Sequence, residues 1–126
     1  MKKADIAKLD KLWSKVVREK AKHKCESCLR TAEEGAWLNA AHIVGRVCRT
    51  TRWGVKIDDK YDTNGMCLCK SCHDQYDQHL EKEDFIRRIV IGIRRYDKLR
   101  SCLKVIAKYQ DYREIRKGLL DELKTE

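Results

Sequence analysis

Hydrophobic residues recur at helical spacing in the first part of the chain. Within residues 1–24, apolar side chains follow one another every three or four positions, at Ile6, Leu9, Trp13, Val16 and Val17. This spacing places them on one face of an amphipathic helix. Nine lysines and arginines occupy the same segment, against three acidic residues. The pattern predicts a basic helix whose charged face is either simply solvated or in contact with phosphates, and the two are compatible.

The central part, residues 25–79, has a less regular pattern. Residues 36–43 predict a short strand, and residues 70–79 predict a helix. Residues 44–62 are polar and irregular, so we expect a loop with little regular structure. Loops of that length are uncommon unless they serve a function.

Three apolar faces divide the last part of the chain, residues 80–126. They predict a bundle of two or three helices with a break at Gly92. The faces consist of Phe85, Ile86, Ile89, Val90 and Ile93, then Leu99, Leu103 and Ile106, and then Ile115, Leu119, Leu120 and Leu123. Nothing between these parts resembles a linker, so we expect residues 1–126 to form one domain of the α+β class.

The charge of the chain narrows the choice of partner. A formal net charge of +9 favours a polyanion, most commonly nucleic acid, with an anionic membrane surface as the rival. No apolar run approaches the roughly 20 residues that span a bilayer, and the first residues lack the apolar stretch of a signal peptide. We therefore expect a cytoplasmic protein with DNA and not a membrane as its partner.

Four of the seven cysteines form two C-x-x-C pairs. In a reducing compartment, such pairs indicate metal ligands before disulfides. The pairs Cys25/Cys28 and Cys69/Cys72 predict one closed tetrahedral zinc site of structural type. Cys67, between two apolar residues, is expected to be a small buried group, while Cys48 and Cys102 are expected to be free thiols.

The residues between the two pairs carry a second motif. His42, Asn64 and His73 occur in that order, and the stretch from Asn64 to His73 reads N-x-x-x-L-C-x-x-C-H. This part of the chain resembles the HNH endonucleases, which share a ββα-metal motif that is often bracketed by such a zinc site. The resemblance implies a metal-dependent enzyme that hydrolyses phosphodiester bonds in DNA. His42 would be the general base, Asn64 would hold the catalytic loop, and His73 would bind a catalytic Mg²⁺ or another divalent ion.

One position departs from the family pattern. Many HNH enzymes have Asp or His immediately before the base histidine as a metal ligand, but this chain has Ala41. Asp77 lies four residues after His73 on the same helical face and is the expected substitute. His79 and His23 are weaker candidates, with His23 expected to be exposed. The plain alternative for His42 is a buried core residue.

Three arginines at three-residue steps, Arg46, Arg49 and Arg52, precede Trp53 in the predicted loop. They suit contacts with DNA phosphates, although a solvated charge run would look the same. The loop and the helical tail resemble the phage recombination nucleases of the NinG (Rap) type, which would imply nicking or action on branched DNA in a phage or its bacterial host. The second hypothesis is a non-catalytic zinc-knuckle DNA-binding protein, which Ala41 favours.

Overall fold

The computed structural model describes residues 2–44, 52–57, 60–101 and 112–124. It confirms the predicted mixture of helices and short strands. The elements in chain order are helix α1 (Lys3–Lys20), a 3-10 turn (Ala32–Glu34), strands β1 (Leu38–Ala41), β2 (Gly54–Ile57), β3 (Lys60–Thr63) and β4 (Met66–Cys69), helices α2 (Lys70–Gln78) and α3 (Leu80–Phe85), a π-helical segment (Ile86–Gly92), and helices α4 (Ile93–Ser101) and α5 (Tyr112–Lys124).

The strands form two antiparallel pairs. Strand β1 pairs with β4, so that Leu38 lies opposite Cys69 and Ala41 opposite Met66. The second pair, β2 with β3, falls within the stretch expected to lack regular structure, and that expectation is wrong for residues 54–57 and 60–62. The strands are only four residues long and rich in charged side chains, so their pattern is too short to stand out in the sequence.

Helix α1 is amphipathic, as its spacing predicts. Its buried side chains are Leu9, Trp13, Val16 and Val17. They share one hydrophobic cluster with Ile115 and Leu119 of α5. At Gly65 the helix comes so close that an added Cβ would lie 2.4 Å from a methyl group of Val17. Helix α1 thus packs against α5 and also against the loop that precedes β4.

The predicted apolar face of residues 85–93 does not form as expected. Ile86 is buried, but Phe85, Ile89 and Ile93 are exposed. Ile86–Gly92 is wound as a π-helix, whose wider turn shifts these side chains away from the common face that an α-helix would give them. The expected break occurs at Gly92, whose φ of 91° is in the left-handed region. Leu103 and Ile106 of the second face lie outside the described residues.

None of the helices in the described part of the chain is both long and apolar enough to cross a membrane.

Candidate functional site

The two C-x-x-C pairs meet in one cluster. The sulfur atoms of Cys25, Cys28, Cys69 and Cys72 all lie within 4.8 Å of one another. The Sγ atoms of Cys28 and Cys69 are 3.7 Å apart. In a tetrahedral site with Zn–S bonds of about 2.3 Å, neighbouring sulfurs are about 3.8 Å apart, whereas a disulfide needs about 2.05 Å. The cluster therefore has the ligand type, number and spacing of a structural zinc site.

Each pair has the geometry of a metal-binding knuckle. The backbone N–H of Cys28 donates to Sγ of Cys25 at 3.4 Å, and that of Cys72 donates to Sγ of Cys69 at 3.5 Å. Burial raises the pKa of Cys25, but N–H donors outweigh it and lower the pKa to about 7. Burial and the neighbouring sulfurs raise the pKa of Cys72 to about 12. Since zinc binds thiolates, loading this cluster releases protons.

A glutamate fastens the first knuckle to strand β4. The Cys67 N–H donates to Oε2 of Glu26 at 2.6 Å, and the Cys67 carbonyl accepts from the Glu26 N–H at 2.8 Å. Cys67 is fully buried, as its sequence context predicts, and burial raises the pKa of its thiol to about 12. The sequence offered no indication of Glu26, because its partner is 41 residues away. Cys48 and Cys102 lie outside the described residues.

His42 directly follows β1 and is half-buried. Its ring is stacked on the indole of Trp13, with ring centres 4.0 Å apart and planes inclined by 15°. The Nε2 atom of His42 is buried. The helical spacing of α1 predicts only that Trp13 is buried and does not indicate its contact with this histidine.

Asn64 connects the end of β3 to the loop after His42. Its side-chain Oδ1 accepts from the Val44 N–H at 2.8 Å, and its Nδ2 donates to the Val44 carbonyl at 2.8 Å. The backbone carbonyl of Asn64 also accepts from Nε1 of Trp13 at 3.1 Å. Asn64 is fully buried, so its side chain lies in the interior and fixes backbone. Trp13 thus contacts both His42 and the residue that holds the loop after it.

His73 and Asp77 lie one turn apart on α2, as the i, i+4 spacing predicts. Nε2 of His73 is 3.6 Å from Oδ2 of Asp77, and both side chains reach solvent. Two atoms that each ligate a metal at about 2.1 Å can be up to about 4.2 Å apart, so this pair fits a shared divalent ion. Ala41 is buried in β1 and supplies no ligand. His79 is exposed at the end of the helix.

Arg52 pairs with an acidic residue of α1. Its Nε and Nη2 donate to the two carboxylate oxygens of Asp10 at 3.1 and 2.6 Å. Nε1 of Trp53 donates to the same carboxylate at 2.9 Å. This bidentate contact anchors Arg52 to the first helix. Arg52 is the last of the three arginines expected to lie in a loop, hereafter called the arginine loop. Arg46 and Arg49 lie outside the described residues, and His23 is exposed as expected.

The region that contains these features also matches a known family. The HNH endonuclease family model matches residues 23–80. This HNH segment includes both knuckles together with His42, Asn64, His73 and Asp77. Helix α1 and residues 81–126 lie outside the match. No curated protein and no solved structure matches the chain. The match indicates nuclease activity, and DNA is the substrate of HNH endonuclease domains.

Proposed function

We propose that this protein is a metal-dependent endonuclease that hydrolyses phosphodiester bonds in DNA. The observation that carries the proposal is the fixed position of His42 inside the HNH segment. Trp13 covers one face of its ring, and Asn64 holds the backbone two residues further on through Val44. A catalytic histidine needs such support, because efficient proton transfer requires close control of its position.

His42 acts as the general base in this proposal. An imidazole is suited to accept a proton from water near neutral pH. Because Nε2 is buried, Nδ1 is the nitrogen that takes the proton from the attacking water. Asn64 contributes by holding the loop, and its buried amide is directed at Val44.

His73 and Asp77 would hold the catalytic divalent ion. An imidazole is a common ligand of Ni²⁺, and a carboxylate is a common ligand of Mg²⁺ and Mn²⁺, so this pair would suit a divalent ion of that kind. When bound, the ion supplies positive charge that stabilises the phosphate and the leaving oxygen. The structural zinc is separate, and its four sulfurs connect the segment before β1 to the start of α2.

DNA contacts come from the arginine loop and the basic face of α1. Arg46 and Arg49 bind phosphates, while Arg52 holds the loop against Asp10. A role of the NinG type in phage recombination, with nicking or cleavage of branched DNA, remains part of this proposal. The competing function is that of a non-catalytic DNA-binding protein. The feature that favours it is Ala41, which cannot replace the missing metal ligand.

Cleavage of supercoiled plasmid with Mg²⁺, Mn²⁺ or Ni²⁺ tests the proposal. His42→Ala should slow single-turnover cleavage by about 10²–10⁴-fold, the usual contribution of a general base, with zinc content and DNA affinity unchanged. His73→Ala should also lose activity but recover part of it at raised metal concentration, and Asp77→Ala should show a milder form of the same defect.

His79→Ala is the matched control, since it removes an exposed imidazole at the end of the same helix. It should cut at the wild-type rate. If His42→Ala cuts as fast as this control, His42 is not the base. If the wild type cuts neither linear, supercoiled nor branched DNA with any of these ions, the non-catalytic function replaces the enzymatic one.

A further inference from the structure

A basic pocket lies at the junction of α1, β3, α4 and α5. Its volume is about 660 Å³. Five cations and two carboxylates line it together with one tyrosine: Lys20, Lys60, Arg94, Arg95, Lys98, Asp62, Glu122 and Tyr61. The lining therefore has a formal charge of +3, and a concave surface with an excess of one charge concentrates ligands of the other sign.

The two carboxylates of the pocket are paired with two of its cations. Glu122 is buried, forms an ion pair with Lys20 and accepts from the Thr63 N–H at 2.7 Å. Arg95 forms an ion pair with Asp62 at 2.9 Å. These pairs account for both carboxylates and two of the cations in the lining, and the other cations in it are Lys60, Arg94 and Lys98.

The other three cations, Lys60, Arg94 and Lys98, are exposed. Lys60 lies on β3, while Arg94 and Lys98 are one turn apart on α4. In the described part of the chain, neither Lys60 nor Arg94 forms an ion pair. Three cations that line one pocket from β3 and α4 suit an anion with several oxygen atoms.

Tyr61 forms part of the wall of the pocket. Its hydroxyl is buried and has no hydrogen-bond partner among the described residues. The ring is confined between Gly54 and Gly118, where an added Cβ would lie 2.6 and 2.4 Å from ring carbons. Because the hydroxyl is closed off from solvent and the ring is held in place, Tyr61 shapes the pocket and does not contact a phosphate in it.

The position of the pocket suggests where such phosphates come from. Strand β3 runs from Lys60 to Thr63 and leads directly into Asn64, which holds the loop after His42. At about 3.3 Å per residue, Lys60 lies at most about 13 Å from Asn64 along the strand. That is about the rise of four nucleotides in duplex DNA, so one DNA molecule can reach both places.

We propose that this pocket binds sugar–phosphate backbone of the DNA substrate, with Lys60, Arg94 and Lys98 as its phosphate contacts. The inference rests on the proposed function in taking DNA as the ligand. The site differs from the arginine loop, and it lies mostly outside the HNH segment.

The test is fluorescence anisotropy with a labelled 20-base-pair duplex, without added divalent ions so that no cleavage occurs. Loss of three phosphate contacts in Lys60→Ala/Arg94→Ala/Lys98→Ala should flatten the slope of log affinity against log salt by about 2.7. Between 50 and 200 mM salt, the wild type should then lose about 40-fold more affinity than this variant. Single substitution Arg94→Gln should flatten the slope by about 0.9.

Lys82→Ala/Arg88→Ala/Lys117→Ala is the matched control, because it removes the same charge from helix surfaces outside both the pocket and α1. An equal change of slope in the two triple variants would overturn the proposal. Tyr61→Phe should leave DNA affinity unchanged and the melting temperature unchanged or higher, because it removes an unsatisfied buried hydroxyl that DNA does not contact.

These outcomes are separable from those of the proposed function. A protein that cuts DNA but whose two triple variants bind alike loses only the pocket proposal. A protein that binds DNA through the pocket but never cuts loses only the enzymatic function.

Discussion

Replacing Asn64 by alanine should destabilise the protein before any metal or substrate is added. The change removes two hydrogen bonds of 2.8 Å to the backbone of Val44, a buried residue. Each hydrogen bond contributes about 0.5–1.5 kcal/mol net, and each buried group left without a partner costs about 1–3 kcal/mol. We therefore expect a loss of about 2–5 kcal/mol, a large share of the 5–15 kcal/mol typical of domains.

Urea denaturation without added divalent ions measures this loss, with m-values compared to confirm that the two-state description holds. Asn39→Ala is the matched control, since Asn39 lies on β1, is half-buried and has no side-chain hydrogen bond within the described ranges. It should change stability by less than about 0.5 kcal/mol. A loss of less than about 1 kcal/mol in the free energy of unfolding for Asn64→Ala would refute the role of Asn64 in holding the Val44 backbone. If Asn64 mainly ligated metal, its removal would weaken metal affinity and leave metal-free stability unchanged.

Two further predictions concern the zinc cluster and Tyr61. Protein purified without added metal should contain one zinc per chain. Cys25→Ser should lose that zinc and markedly lower the melting temperature, whereas Ser27→Ala in the same knuckle should do neither. A zinc content below half an equivalent in folded wild-type protein would contradict the site. Burial, followed by the charges of Glu122 and Asp62, raises the pKa of Tyr61 above its ordinary value. The contribution of the neutral Tyr61 hydroxyl to stability is therefore complete below about pH 10 and is lost as the pH rises further. Tyr61→Phe should then show a smaller drop in melting temperature between pH 9 and 11 than the wild type. An identical drop in both proteins would contradict this prediction.

The four-cysteine cluster could be predicted from the sequence, because the patterns that indicate it are local. Each C-x-x-C pair forms its knuckle from four adjacent residues, and four thiolates satisfy one zinc ion. The i, i+4 relation of His73 and Asp77 is likewise set by one helix. In the same way, the spacing of Leu9, Trp13 and Val16 determined the buried face of α1.

The contacts that support His42 could not be predicted from the sequence, because they join distant parts of the chain. Trp13 precedes Asn64 by 51 residues, and nothing near either residue indicates that the indole donates to that carbonyl. Helical spacing alone assigns Trp13 to a core. The prediction that Ile89 lies on a buried face was wrong because its spacing suits an α-helix, whereas the segment is π-helical.

Zinc bound by the four cysteines would close the central part of the chain into a ring. Cys28 and Cys69 are 41 residues apart in the sequence, yet their Sγ atoms lie 3.7 Å apart, and His42 and Asn64 lie between them in the chain. For a flexible loop, each doubling of length adds only about 0.6 kcal/mol to the cost of closure. A change in the number of residues between the two knuckles would therefore add little to the cost of closing the ring. Insertions or deletions between Cys28 and Cys69 would thus leave the four cysteines able to meet.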